Sequence, residues 1–210
     1  MSCLNGRIIT DANILVPLFS CRLHDAPNPT MARSIRRLLD LYDGHSVPSA
    51  IQSYDEDESA VKLLHMFHPV MLNTYTPQRV IGDGNCVFRS ASLGMYGHQE
   101  AHVYLRLMTA VEMILHRTRY DTESAGHAAD RPSYHEFMNV TSYDTMIREV
   151  TTLGAWCDMM HVYALSAALG VVIASYIPPV SHDTSYFTIY TRDVIGSGVT
   201  TPSPARFTLM

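Results

Sequence analysis

The chain has few charges, few cysteines and no long apolar run, and each shortage narrows what it can be. Charged residues make up 17% of the 210, none of the Lys and Arg form a block, and the formal net charge is -5. Nucleic-acid binding needs a basic stripe or patch, so a nucleic-acid partner is not expected. The longest apolar runs fall far short of the roughly 18 to 20 residues a bilayer span requires, and no charged segment followed by an apolar stretch opens the chain. A soluble protein with no membrane partner is expected. The four cysteines, Cys3, Cys21, Cys86 and Cys157, form no CxxC pair and no Cys/His spacing suited to zinc. That pattern implies no disulfide scaffold, no metal and no other cofactor. It fits a reduced intracellular setting, cytoplasmic or nuclear.

What is present suffices for one core. Hydrophobic residues reach 47%, too apolar for a disordered chain, and the length suits one domain rather than two. The expected division is a helical extension over residues 1–70, packed on a main domain over 71–210. In the extension, Thr30 is placed to cap a helix over Met31 to Tyr42, with Ile35, Leu38, Leu39 and Tyr42 on one face and Gly44 at its end. The acidic run Asp55 to Glu58 leads into a second, strongly apolar helix from Val61 to Val70, stopped at His68-Pro69.

Further helices are expected from Cys86 to Gly97, from Glu100 to about Arg119, over Tyr143 to Thr152, and from about Asp158 to Gly170. In the second of these Val103, Leu107, Val111, Ile114 and Leu115 form the apolar stripe, and Arg106, Glu112 and Arg117 form the polar face. Val171 to Tyr176, Tyr186 to Tyr190 and Arg206 to Met210 read as strands. Helices first and strands later point to an α+β or three-layer α/β/α domain. The chain stops inside the last strand at Met210, as a fragment of a longer protein would.

One stretch carries chemistry. Val80-Ile81 runs into Gly82-Asp83-Gly84-Asn85, and Cys86 restarts the chain as a helix. Gly82 and Gly84 permit backbone angles that side chains forbid, so a tight loop can turn its amide groups toward one point and bind a developing oxyanion. A cysteine at the head of a helix meets the positive end of the dipole, which favours a thiolate. The arrangement suits acyl transfer. A lone cysteine at such a junction is also a common small buried hydrophobe.

The order Asp83-Gly84-Asn85-Cys86 followed by Phe88-Arg89 resembles the nucleophile motif of the ovarian-tumour (OTU) family of cysteine proteases, most of them deubiquitinases. Leu105-Arg106, Trp156 and the run Ala164 to Tyr176 match later blocks of that family in order. The resemblance covers about Arg79 to the C-terminus. It implies a papain-like fold of the OTU type, a small central sheet flanked by helices. It also implies peptide or isopeptide hydrolysis after ubiquitin or a ubiquitin-like protein, which would be the partner. Cys86 would be the nucleophile, Asp83 would shape its loop, and amides of the loop around Gly84 and Asn85 would hold the oxyanion.

The resemblance leaves the general base open. The family places a histidine on the last strand, followed by an aromatic residue and then commonly Asp or Asn. This sequence has Arg206-Phe207-Thr208 there. Arginine stays protonated and cannot serve as a base, and Thr208 offers no carboxylate to orient one. Three explanations stand: a pseudoenzyme that keeps the scaffold as a ubiquitin- or protein-binding module, a shifted alignment, or a histidine from elsewhere. His182, beside Asp183, is the best substitute by position. His161 reads as a satisfied core residue, and His98 and His102 as local caps. A narrower likeness is to vertnin-like animal proteins, through Ser92-Leu93-Gly94-Met95-Tyr96-Gly97 and Leu105-Arg106-Leu107-Met108-Thr109-Ala110.

Overall fold

The computed structural model describes residues 28–40, 54–67, 69–121, 141–176, 192–196, 198–199 and 206–209. Seven helices lie in them: α1 (Pro29–Asp40), α2 (Glu58–Phe67), α3 (Cys86–Tyr96), α4 (His102–Leu115), α5 (Arg117–Tyr120), α6 (Tyr143–Thr151) and α7 (Met159–Leu169). A 3-10 turn (Pro69–Asn73) follows α2, and three strands close the chain: β1 (Val172–Ser175), β2 (Arg192–Val194) and β3 (Arg206–Leu209).

Helix α4 is the centre. α1, α3, α6 and α7 all lie against it, and every residue from Leu105 to Ile114 is buried. A helix enclosed on all sides has no solvated stripe. The expected polar face of Arg106, Glu112 and Arg117 is therefore corrected. Arg106 and Glu112 are interior, α4 ends at Leu115, and Arg117 belongs to α5. Glu112 is satisfied inside by the Tyr120 hydroxyl at 3.1 Å, Arg119 at 3.3 Å and His116 at 2.9 Å.

Local chemistry sets the ends of the other helices. Asn28, rather than Thr30, caps α1, its Oδ1 accepting the Thr30 amide at 2.8 Å. The helix buries Ala32, Ile35 and Leu39; Tyr42 and Gly44 lie outside the described residues. Asp57 caps α2 through the amides of Ser59 and Ala60, both at 3.0 Å. Asp158 and His161 form a reciprocal capping box on α7. Gly97 and Gly170, both left-handed, end α3 and α7.

The sheet order is β2-β1-β3. β1 runs antiparallel to β2, with Ile173 opposite Val194, and parallel to β3, with Val172 opposite Arg206. The class is thus α+β. β1 and β3 fall where periodicity predicts them. β2 is a strand the sequence did not announce, while the expected one at Tyr186 to Tyr190 lies outside the described residues. Buried Ser166 on α7 ties helix to sheet, its Oγ donating to the Val171 carbonyl at 2.6 Å and accepting the Gly196 amide at 2.8 Å. α3, which begins with Cys86, lies against β3. No helix among the described residues is long and apolar enough to cross a membrane.

Candidate active site

Cys86 is the first residue of α3 and half-buried. It lines an open cleft of about 370 Å³ between the start of α3 and the segment running from α2 through Gln78, with Asp57, Ala60, Tyr75 and Pro77 on the opposite wall. Of the two glycines before it, only Gly84 uses its conformational freedom, at φ 79°. A Cβ there would lie 1.8 Å from the Gly154 carbonyl oxygen, whereas one on Gly82 would meet nothing within 4 Å. Two backbones, 70 residues apart in sequence, thus touch at a pair of glycines.

Around that contact the loop is held from below. Asn85 is buried, and its Oδ1 accepts from Arg106 Nε at 2.8 Å and from the Gly154 amide at 2.9 Å. Asn is a good helix cap, but here its oxygen is taken, and α3 has no side-chain cap. Arg106 is fully buried and uses all five N–H groups. Besides Asn85 it donates to the carbonyls of Gly84 at 3.0 Å, Glu149 at 3.0 Å, Val150 at 3.3 Å and Ala155. The Phe88 ring lies under it at 4.7 Å. One guanidinium therefore joins the cysteine loop, the end of α6 and the loop before α7.

The loop's other side is fixed by Asp83. Its carboxylate faces Arg89 at 2.7 Å and accepts the Asn85 amide at 3.0 Å. The Arg89 hydrogen bond, opposed by partial burial and reinforced by the Asn85 bonds, holds the Asp83 carboxyl well below the usual carboxylate range. Arg89 also reaches the Gln99 carbonyl at 3.3 Å. Gln99, buried, grips the segment leading to the loop through the Ile81 amide at 3.0 Å and the Arg79 carbonyl at 3.1 Å. Gly154, Gln99 and the interior role of Arg106 were not read from the sequence. The signal available was the scarcity of charge in Leu105 to Leu115, which marks a central helix rather than a surface one.

The histidines sort as follows. His161 is buried, with Nδ1 accepting the Asp158 amide at 3.1 Å and Nε2 donating to the Met146 carbonyl at 2.9 Å. His98 accepts the Glu100 amide at 3.2 Å and His102 donates to the Gln99 carbonyl at 3.0 Å. Burial, then the Arg89 charge, lowers the pKa of His102. His182 lies outside the described residues. Position 206 is on β3, the strand beside α3. Burial pushes the thiol of Cys157 up to about 12. Among the described residues one group of metal-ligand type gathers, Glu149, Asp158 and His161. Both nitrogens of His161 already serve the helix cap and Met146, so this group is explained as a cap.

Trp156, the chain's only tryptophan, is 80% exposed on the loop that Arg106 and Asn85 fasten to the cysteine loop. No curated protein matches the chain. Residues 77–195, more than half of it, match the family model described as the vertnin OTU domain, and the chain belongs to that family.

Proposed function

We propose that this OTU domain is a thiol peptidase of the deubiquitinase type, acting on the bond after the C-terminus of ubiquitin or a ubiquitin-like protein. The carrying observation is the placement of Cys86, which opens α3 on a cleft while Arg89 and Arg106 hold the neighbouring side chains of Asp83 and Asn85. The Cys86 sulfur would attack the carbonyl carbon and push the C=O electron pair onto oxygen. The Asn85 amide is engaged by Asp83 and no side chain caps α3, so the Gly84 amide and the first amides of α3, Cys86 among them, would donate to that oxyanion. Collapse would expel the amine, which would take the proton that His182 removed from the thiol. Water then cleaves the thioester.

A second reading has its own observation. The last-strand position beside α3 is Arg206, which cannot take up a proton. On that reading the domain is a pseudoenzyme that binds ubiquitin or another protein without cleaving it. The two part under a ubiquitin probe with a C-terminal electrophile. The peptidase reading expects covalent labelling of the wild type, none of Cys86→Ala, and slowed labelling of His182→Ala. A folded wild type that stays unlabelled, yet binds ubiquitin as tightly as Cys86→Ala does, would replace it with the second.

A further inference from the structure

Just outside the Cys86 cleft the protein presents an apolar row to solvent. Ala60 lines the cleft. Leu63 and Met66 follow along α2 at 40% and 69% exposure, and Val70, in the 3-10 turn that comes next in the chain, is 73% exposed. At about 100° per residue, positions 60, 63 and 66 share about a third of the helix circumference, while Leu64 on the inner side is 1% exposed. Tyr75, which also lines the cleft, is 41% exposed. Large apolar side chains grouped beside a cleft are the mark of a partner-binding face.

Charge says which kind of partner. At the head of α2, Asp55, Glu56, Asp57 and Glu58 form an unbroken acidic run, and Asp57 reaches the cleft wall. Against it stand Arg79, at the edge of the same acidic surface, and Lys62, the only lysine in the chain. Lys62 is 4.0 Å from Glu58. The balance of this rim is negative.

We infer that this face of α2 and the 3-10 turn docks the folded protein whose C-terminal segment enters the cleft, and that this protein presents an apolar patch bordered by Lys and Arg side chains. The inference rests on the peptidase reading for what lies in the cleft, and adds the surface and the partner chemistry. The apolar row supplies the dehydrated centre of the contact, and the acidic run at its edge supplies steering and register.

The test uses the whole chain and the ubiquitin electrophile as probe. Met66→Ser with Val70→Ser changes two exposed positions, so the fold should stand. It is expected to slow labelling of Cys86 by about tenfold or more at subsaturating probe. Alkylation of Cys86 by iodoacetamide, followed by peptide mass mapping, should keep its wild-type rate. Glu56→Gln with Glu58→Gln should slow labelling chiefly at low salt. Wild-type labelling in the double serine variant overturns the docking face and leaves the peptidase reading in place. No labelling of wild type, with normal alkylation, overturns both. A wild-type dimer in sedimentation that the serine variant dissociates, with labelling unchanged, assigns the face to a second copy and likewise overturns the inference.

Discussion

Gly84 and Arg106 show at the scale of single residues how the cysteine loop is made. Where Gly84 meets Gly154, space and backbone angle both exclude a side chain; at Gly170 the angle alone does, since nothing lies within 4 Å. Gly170→Ala should therefore cost about 1 kcal/mol, and Gly84→Ala about 1–2 kcal/mol more, as read from urea unfolding midpoints. Equal costs would show that the two loops are not in forced contact. Arg106 adds a fork that lysine cannot copy, because its bonds go in five directions to backbone and amide oxygens. Asp83 adds a pH dependence. Its folded-state pKa is held below the normal range, first by Arg89, so its contribution is complete above pH about 4 and is lost as pH falls below that. Asp83→Asn should be less stable than wild type at pH 7, with the gap closing at lower pH. A gap that stays constant would mean that the Arg89 pair contributes nothing.

Among the elements, α1 has more reach than its place in the chain suggests. It precedes the family match, which starts at residue 77, yet its buried face of Ala32, Ile35 and Leu39 lies on α4. α4 in turn carries Arg106, so the extension and the cysteine loop share one support. Leu39→Ala should cost about 2–4 kcal/mol in a single unfolding transition. A separate early transition would mean that α1 melts apart from the rest. β2 is set by its neighbours instead. Its three residues, Arg192-Asp193-Val194, form a strand because they pair with β1 and because Gly196 seats against α7, where a Cβ would meet the Ala167 amide nitrogen at 2.1 Å.

Over the whole molecule, what periodicity and end-chemistry express was legible in the sequence. α3 starts at Cys86 and stops at Gly97, α7 and β1 follow as the apolar pattern requires, and Asp57 begins α2. What depends on distant segments was hidden. The polar face assigned to Arg106 and Glu112 assumed water as their partner, whereas the chain supplies carbonyls from residues 84, 149, 150 and 155 and a hydroxyl from Tyr120. The α1 cap moved from Thr30 to Asn28 because the helix starts earlier, at Pro29, and the asparagine just ahead of it reaches the Thr30 and Met31 amides. In the cysteine stretch the turn through Gly84 into a helix that begins at Cys86 was readable from Gly82 to Cys86, but its support was not, since Gly154 and Gln99 are ordinary residues until the fold brings them close.

The exposed indole of Trp156 makes the site optically addressable. With a single tryptophan at 80% exposure on a loop tied to the cysteine loop, the free protein should emit as a solvated indole does, near the red end of the tryptophan range. A partner that covers this loop as well as the cleft would remove water from that ring. Titration with unmodified ubiquitin should then shift the emission to the blue in both wild type and Cys86→Ala. An emission spectrum that never moves, in a titration where binding is verified by another method, would place the partner away from this loop. Such a shift would make Trp156 a built-in reporter of occupancy, one that needs no label and no turnover.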